Sequence, residues 1–117
     1  MVKVKQKDFD LFKKEFMRWY EKFGLGEYSV YFEFKKLDEA YAEIWKRSDS
    51  NVITVALNNE LSPGAYRDRD VKDTAKHEAL HLLLWDLSRH SYNRFGSPRE
   101  IDLSEEKLVQ KLIGLIK

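Results

Sequence analysis

Phe9, Phe12, Phe16, Trp19, Tyr20 and Phe23 recur at three- and four-residue steps, with lysines and glutamates between them. That is the period of an α-helix, so residues 6 to 23 are expected to form one helix carrying an aromatic stripe. Burying a large apolar side chain is worth roughly 1.5–3 kcal/mol, so the rest of the chain has to supply a surface that covers the stripe. The stripe is read as core, not as a ligand site. Gly24 and Gly26 in "FGLGE" end the helix.

The next stretch supplies that surface. "YSVYFEF" alternates, placing Tyr28, Val30, Phe32 and Phe34 on one face of a strand. "AYAEIW" reads as a second strand, and the β-branched run "VITVAL" as a third, nearly continuous apolar one. Short connections between consecutive strands suggest an antiparallel meander. "NNELSPGAY", with Pro63 and Gly64, reads as loop. A second long helix is expected from Asp70, whose carboxylate can cap it, to about Arg89. "SYNRFGSPRE" reads as loop, and "SEEKLVQKLIGLI" as a last helix capped by Asp102 or Ser104. The order of helix, three strands, helix, helix is that of an α+β domain.

At 117 residues the chain has room for one modest core, so residues 1–117 are read as a single domain. Its formal net charge of +1 gives no electrostatic footprint for nucleic acid. The start "MVKVKQKDFD" has no apolar h-region, and no apolar run reaches membrane-spanning length. A cytoplasmic protein, in the host cytoplasm if viral, is the expectation. The sequence has no cysteine, so any metal has to be held by histidine and carboxylate.

Two of the three histidines stand in "KHEALHL". Four residues apart on a helix, His77 and His81 project from one face, where a small cation can take a nitrogen from each at about 2.0–2.1 Å. Glu78 then lies beside the ion and can take a proton from a water that the ion acidifies. The surrounding Ala79, Leu80, Leu82, Leu83, Leu84 and Trp85 make this helix apolar almost all round. A buried charged glutamate is expensive there unless something compensates it, and coordination of Zn2+ close by does so.

Catalytic zinc sites use three protein ligands and a water. His90 is nine residues past His81 and points to the opposite side of an uninterrupted helix. Glu100, Asp102, Glu105 and Glu106 remain. On the last helix, Leu108, Val109, Leu112, Ile113, Leu115 and Ile116 define the apolar stripe, with Glu105 near its middle and Glu106 at its edge. An acid inside an apolar stripe needs a buried partner. Glu105 is therefore the expected third ligand, with Glu106 as the fallback and expected to face solvent.

An HExxH helix followed by a glutamate ligand on a separate helix resembles the gluzincin metallopeptidases. The residues that carry the resemblance are His77, Glu78, His81 and Glu105 in "SEEKLV". The short chain is similar to minimal, single-domain gluzincin-type proteins of phage and archaeal kind. The order of helix, strands and "VITVALN" before "HEALH" is more distantly similar to SprT-like domains, which use a third histidine downstream that this chain lacks. The resemblance implies a zincin-like fold and a zinc-dependent peptidase acting on a peptide or protein. It also implies that the strand before the active-site helix, here "VITVAL", pairs with extended substrate. Tyr92 and Arg94 are the nearest candidates for an oxyanion-stabilising group.

The expected function is hydrolysis of peptide bonds by a zinc-activated water, with His77, His81 and Glu105 holding Zn2+ and Glu78 as the base. The alternative is a catalytically silent, zinc-stabilised binding or regulatory module. HExxH also serves deformylation, a third possibility.

Overall fold

The computed structural model describes residues 1–47, 50–85 and 98–116. Helix α1, Gln6–Lys22, follows the aromatic stripe. Its end is set by Gly24, the one positive-φ residue among those described, at φ 68°. The amide of Leu25 donates to the Tyr20 carbonyl and that of Gly24 to the Glu21 carbonyl, the paired bonds of a Schellman cap.

Strands β2 (Ser29–Lys35), β3 (Ala42–Lys46) and β4 (Val52–Asn58) form one sheet in the order β2-β4-β3. β4 pairs in parallel with β2 and antiparallel with β3. The meander expected from the sequence is therefore not formed. The chain crosses from β2 to the far side of β4's position, and β4 inserts between them. The physical reason lies in the residues. Along β3, Glu43 and Trp45 are exposed, whereas Ile53, Val55, Ala56 and Leu57 of β4 are fully buried. The most apolar strand takes the centre.

Asn58, at the end of β4, holds the crossover in place. Its side chain accepts from the amides of Leu37 and Glu60 and donates to the carbonyls of Leu37 and Ala40, at 2.9–3.2 Å. Three of these bonds satisfy groups of the connection from β2 to β3, and the fourth holds the Glu60 amide just after β4.

Val30, Phe32 and Phe34 do share one face, as the alternation implies, and α1 packs on it. Phe32 meets Phe12 and Phe16 edge-on, at 6.4 and 5.6 Å between ring centroids, and Phe9 stacks on Phe34 at 4.8 Å. Phe12 and Phe16 are completely buried. A two-stranded antiparallel sheet, β1 (Val2–Lys3) with β5 (Glu60–Leu61), ties the start of the chain to the segment after β4.

Two further corrections concern proline. The stretch read as loop contains helix α2, Pro63–Asp68, with the Ser62 side chain accepting from the Ala65 amide. The last helix, α4, runs Pro98–Leu115 and so begins well before the expected caps Asp102 and Ser104, which lie inside it. Both prolines of the chain open helices, where a missing N–H costs nothing and the fixed φ is already helical. Between them, α3 spans Val71–Leu83 with the Asp70 carboxylate accepting from the Asp73 amide, the cap read from the sequence. Residues 86–89 of the expected helix lie outside the described residues. No helix among the described residues is long and apolar enough to cross a membrane. The whole is a small α+β fold.

Candidate metal centre

α3 is buried along most of its circumference, by Val71, Ala75, Ala79, Leu80 and Leu82. Its remaining face carries His77 and His81, whose rings stand 4.8 Å apart. α4 supplies that face with carboxylates. The two helices run antiparallel, since Lys76 in the middle of α3 meets Ile113 near the end of α4, and His81 farther along α3 meets the earlier Glu105.

The two neighbouring glutamates of α4 divide the nitrogens of His81 between them. Glu105, nearly buried, lies 2.8 Å from Nδ1. Glu106 lies 2.6 Å from Nε2 through one oxygen and 3.6 Å from His77 Nε2 through the other. His77 Nε2 and His81 Nε2 face each other at 3.1 Å. One ligand atom from each of His77, His81 and Glu106 thus lies within 4.8 Å of the other two.

This arrangement differs from the sequence expectation in which glutamate converges on the histidine pair. Glu105 does sit on the apolar side of α4, one turn before the fully buried Val109, and has a partly buried partner. That partner is the outer nitrogen of His81 and not the space between the rings. Glu106, expected to face solvent, is half-exposed at the edge of the stripe and turns its carboxylate inward. A helix edge is the place from which a flexible glutamate can reach a site while its stem stays wet. Leu108, assigned to the buried stripe from the sequence, is 39% exposed, so the helix is rotated toward its Val109 side.

The charges around His81 test whether a cation fits. A neutral imidazole has one proton to donate. With Nδ1–H donated to Glu105, Nε2 presents a lone pair to Glu106 and to His77. His77 Nε2–H can donate to that lone pair, but the Glu106 carboxylate 2.6 Å away is repelled by it unless positive charge lies between them. A second proton on His81 or a divalent ion can supply it. Two imidazole nitrogens and one carboxylate oxygen form a donor set that zinc takes. Tetrahedral ligands about 2.0–2.2 Å from an ion stand roughly 3.3–3.6 Å apart, so the separations found here require only side-chain adjustment. The residues fit the ion. Glu105 on Nδ1 is then the outer-shell carboxylate that fixes the tautomer and orientation of a liganding histidine.

Titration behaviour follows the same geometry. Burial lowers the pKa of His77, and the neighbouring His81 lowers it further. For His81, burial also opposes the charged ring, but the hydrogen bond to Glu105 and the charges of Glu78, Glu106 and Glu105 outweigh it and raise the pKa. Glu78 is 7% exposed. Burial, with Glu106 and Glu43 adding to it, pushes its carboxyl up to about 7, against the lowering effect of His81. A carboxyl that titrates near neutrality is suited to accept a proton and to give it back.

His90, Tyr92 and Arg94 lie outside the described residues. The sequence ranks Glu106 only as the fallback because hydrophobic periodicity orders positions by burial, and the position that pairs with both histidines is the half-exposed one. The adjacent Glu105–Glu106 doublet was the available signal: two acids 100° apart can address both nitrogens of one ring. No known family, curated protein or solved structure matches the chain.

Proposed function

We propose that this chain is a zinc-dependent metallopeptidase with a zincin-like active site. His77, His81 and Glu106 would hold the ion, with Glu105 orienting His81. The single observation that carries this reading is the convergence of two Nε2 atoms and a Glu106 oxygen from two antiparallel helices, with Glu78 buried next to the first histidine. When bound, a zinc ion supplies Lewis acidity, which acidifies water and polarises a carbonyl.

The chain's own residues account for the remaining steps. Glu78, close to neutrality in its titration, takes the proton of the attacking water on its carboxylate and returns it to the leaving amine. Its burial keeps bulk water from competing for that proton. Glu105 holds the His81 ring in one tautomer. The resemblance assigned substrate pairing to "VITVAL", but β4 has both edges occupied, by β2 and β3. β3 is the strand that both packs near α3 and has an edge unpaired with any described strand. An extended peptide would add along Ala42–Lys46, its carbonyl directed toward α3.

The test is hydrolysis of unfolded casein by zinc-reconstituted protein, with Glu78→Gln and a chelator as controls. Chelator-sensitive cleavage that Glu78→Gln reduces by roughly 10²–10⁴ supports the peptidase. Stoichiometric zinc binding without cleavage of any peptide supports the zinc-stabilised binding module instead.

A further inference from the structure

We propose that Lys76 is a positioning residue of the metal centre, a buried cation that fixes the axial position of α4 against α3 and so decides which α4 carboxylate reaches the histidine pair. The inference rests on the metal reading above and concerns how that site is held together. Lys76 is 9% exposed, and the chemistry proposed for the site does not use it. Its Nζ donates to the Ile113 carbonyl at 2.6 Å and to the Ile116 carbonyl, at the C-terminal end of α4. It also stands 5.1 Å from the centre of the Trp19 ring on α1. One ammonium therefore joins three helices.

The location explains why a lysine is tolerated there. The last carbonyls of a helix lack intrahelical donors and carry the negative end of its dipole. A buried ammonium that donates to two of them satisfies groups on both sides. The aromatic face of Trp19 adds attraction from a third direction.

The same location links Lys76 to the metal centre. Lys76 directly precedes His77 on α3. On α4, Ile113 follows Glu106 by seven residues, two turns or roughly 10 Å along the axis. α4 is thus held to α3 at two points: through its carboxylates near its middle and through Lys76 at its C-terminal end. Val109, fully buried, lies between them. A slide of one residue moves a helix by about 1.5 Å and rotates the next side chain by about 100° into place. That small step separates Glu105 from Glu106 at the Nε2 pair. Apolar packing of Val109 resists rotation, but it is not directional enough to forbid the slide. Two hydrogen bonds to named carbonyls are.

The experiment is titration with Co2+ of the chelator-stripped 117-residue chain, followed by visible absorption, for the wild type, Lys76→Met, Lys76→Arg and Lys76→Gln. Met keeps the apolar stem and removes every donor. Outer-shell losses typically weaken metal binding roughly 10–100-fold, and that is the expected loss for Lys76→Met. The Co2+ band of Lys76→Met should also change shape, because the carboxylate geometry relaxes. Lys76→Arg should recover the wild-type spectrum, and Lys76→Gln should fall between them. Phe16→Leu, whose ring meets Phe12 and Phe32 and which is chosen to lower thermal stability, should leave the spectrum unchanged. Wild-type affinity and spectrum in a folded Lys76→Met protein overturn the proposal while leaving the metal reading intact. An equal spectral change in Phe16→Leu also overturns it, since the effect would then be general loosening. If Lys76→Met does not fold, the Arg and Gln variants carry the same test, and identical wild-type spectra in both count against the proposal. Absence of Co2+ binding by the wild type removes the metal reading and this inference with it.

Discussion

Glu78→Gln should stabilise the ion-free protein at neutral and alkaline pH, even though it is expected to lower turnover roughly 10²–10⁴-fold. The folded carboxyl titrates at about 7 against an ordinary value of 4.5, chiefly because burial penalises its charge. Between those two values the folded state keeps a proton that the unfolded chain has released. Stability therefore falls as pH rises through the window, by about 1.4 kcal/mol per pH unit, and the loss is complete above about 7. Through Glu78 alone, the ion-free wild type at pH 8 is roughly 3 kcal/mol less stable than at pH 4. Glutamine has nearly the same shape and no charge to desolvate. The difference between Glu78→Gln and wild type should then be small near pH 4 and rise to roughly 2–3 kcal/mol above pH 7, reduced somewhat because the mutation also removes an attraction for charged His81. Urea unfolding with excess chelator, at intervals from pH 4 to 8, measures that difference. His77 and His81 are present in both proteins, so most of their own titration cancels. A difference that is flat with pH, or that grows toward acid, refutes the reasoning. Zinc should reverse the sign, because a bound ion compensates the Glu78 charge.

Asn58→Ala removes four hydrogen bonds from a buried side chain and leaves polar groups of the crossover unpaired, so denaturant unfolding should show a loss of about 2–4 kcal/mol. Gly24→Ala puts a Cβ on a residue at φ 68° with open space around it, so only backbone strain acts, and the same assay should give about 1 kcal/mol. Phe32→Ala deletes a partly buried ring that meets both Phe12 and Phe16, and should cost about 2–3 kcal/mol in that measurement, below the range for a fully buried phenylalanine.

The parts of this fold that were legible in the sequence are those where one periodic signal decides the outcome. The aromatic stripe of α1 and the alternation of Val30, Phe32 and Phe34 predict which faces meet, and these faces do meet. The Asp70 cap was legible because a single side chain acts on an amide three residues away. Strand order was not, since it depends on which strand best tolerates neighbours on both sides. The continuous run Ile53–Leu57 carried that information, but consecutive strands were assumed to be neighbours. Pro63 and Pro98 mark breaks in the pattern, but a proline equally starts a helix, and Ser62 before Pro63 is the local clue. At the site, the i, i+4 histidines and the intervening Glu78 follow from helix geometry alone. The division of Glu105 and Glu106 between the two nitrogens of His81 depends on the rotation of α4. That rotation is set by Val109 and by the distant contact of Lys76 with Ile113, which no local pattern contains.

The central claim is that His77, His81 and Glu106 converge to hold one zinc ion while Glu105 supports His81 from outside. It is tested most directly by zinc stoichiometry and affinity of metal-stripped protein after reconstitution, in the wild type, His77→Ala, Glu106→Ala and Glu105→Ala. The account predicts one ion per wild-type chain and severe loss in His77→Ala and Glu106→Ala. Glu105→Ala should keep the ion with affinity lowered roughly 10–100-fold, as for an outer-shell partner. A wild-type protein that takes up no zinc contradicts the account, and so does a Glu106→Ala protein that binds it as tightly as the wild type.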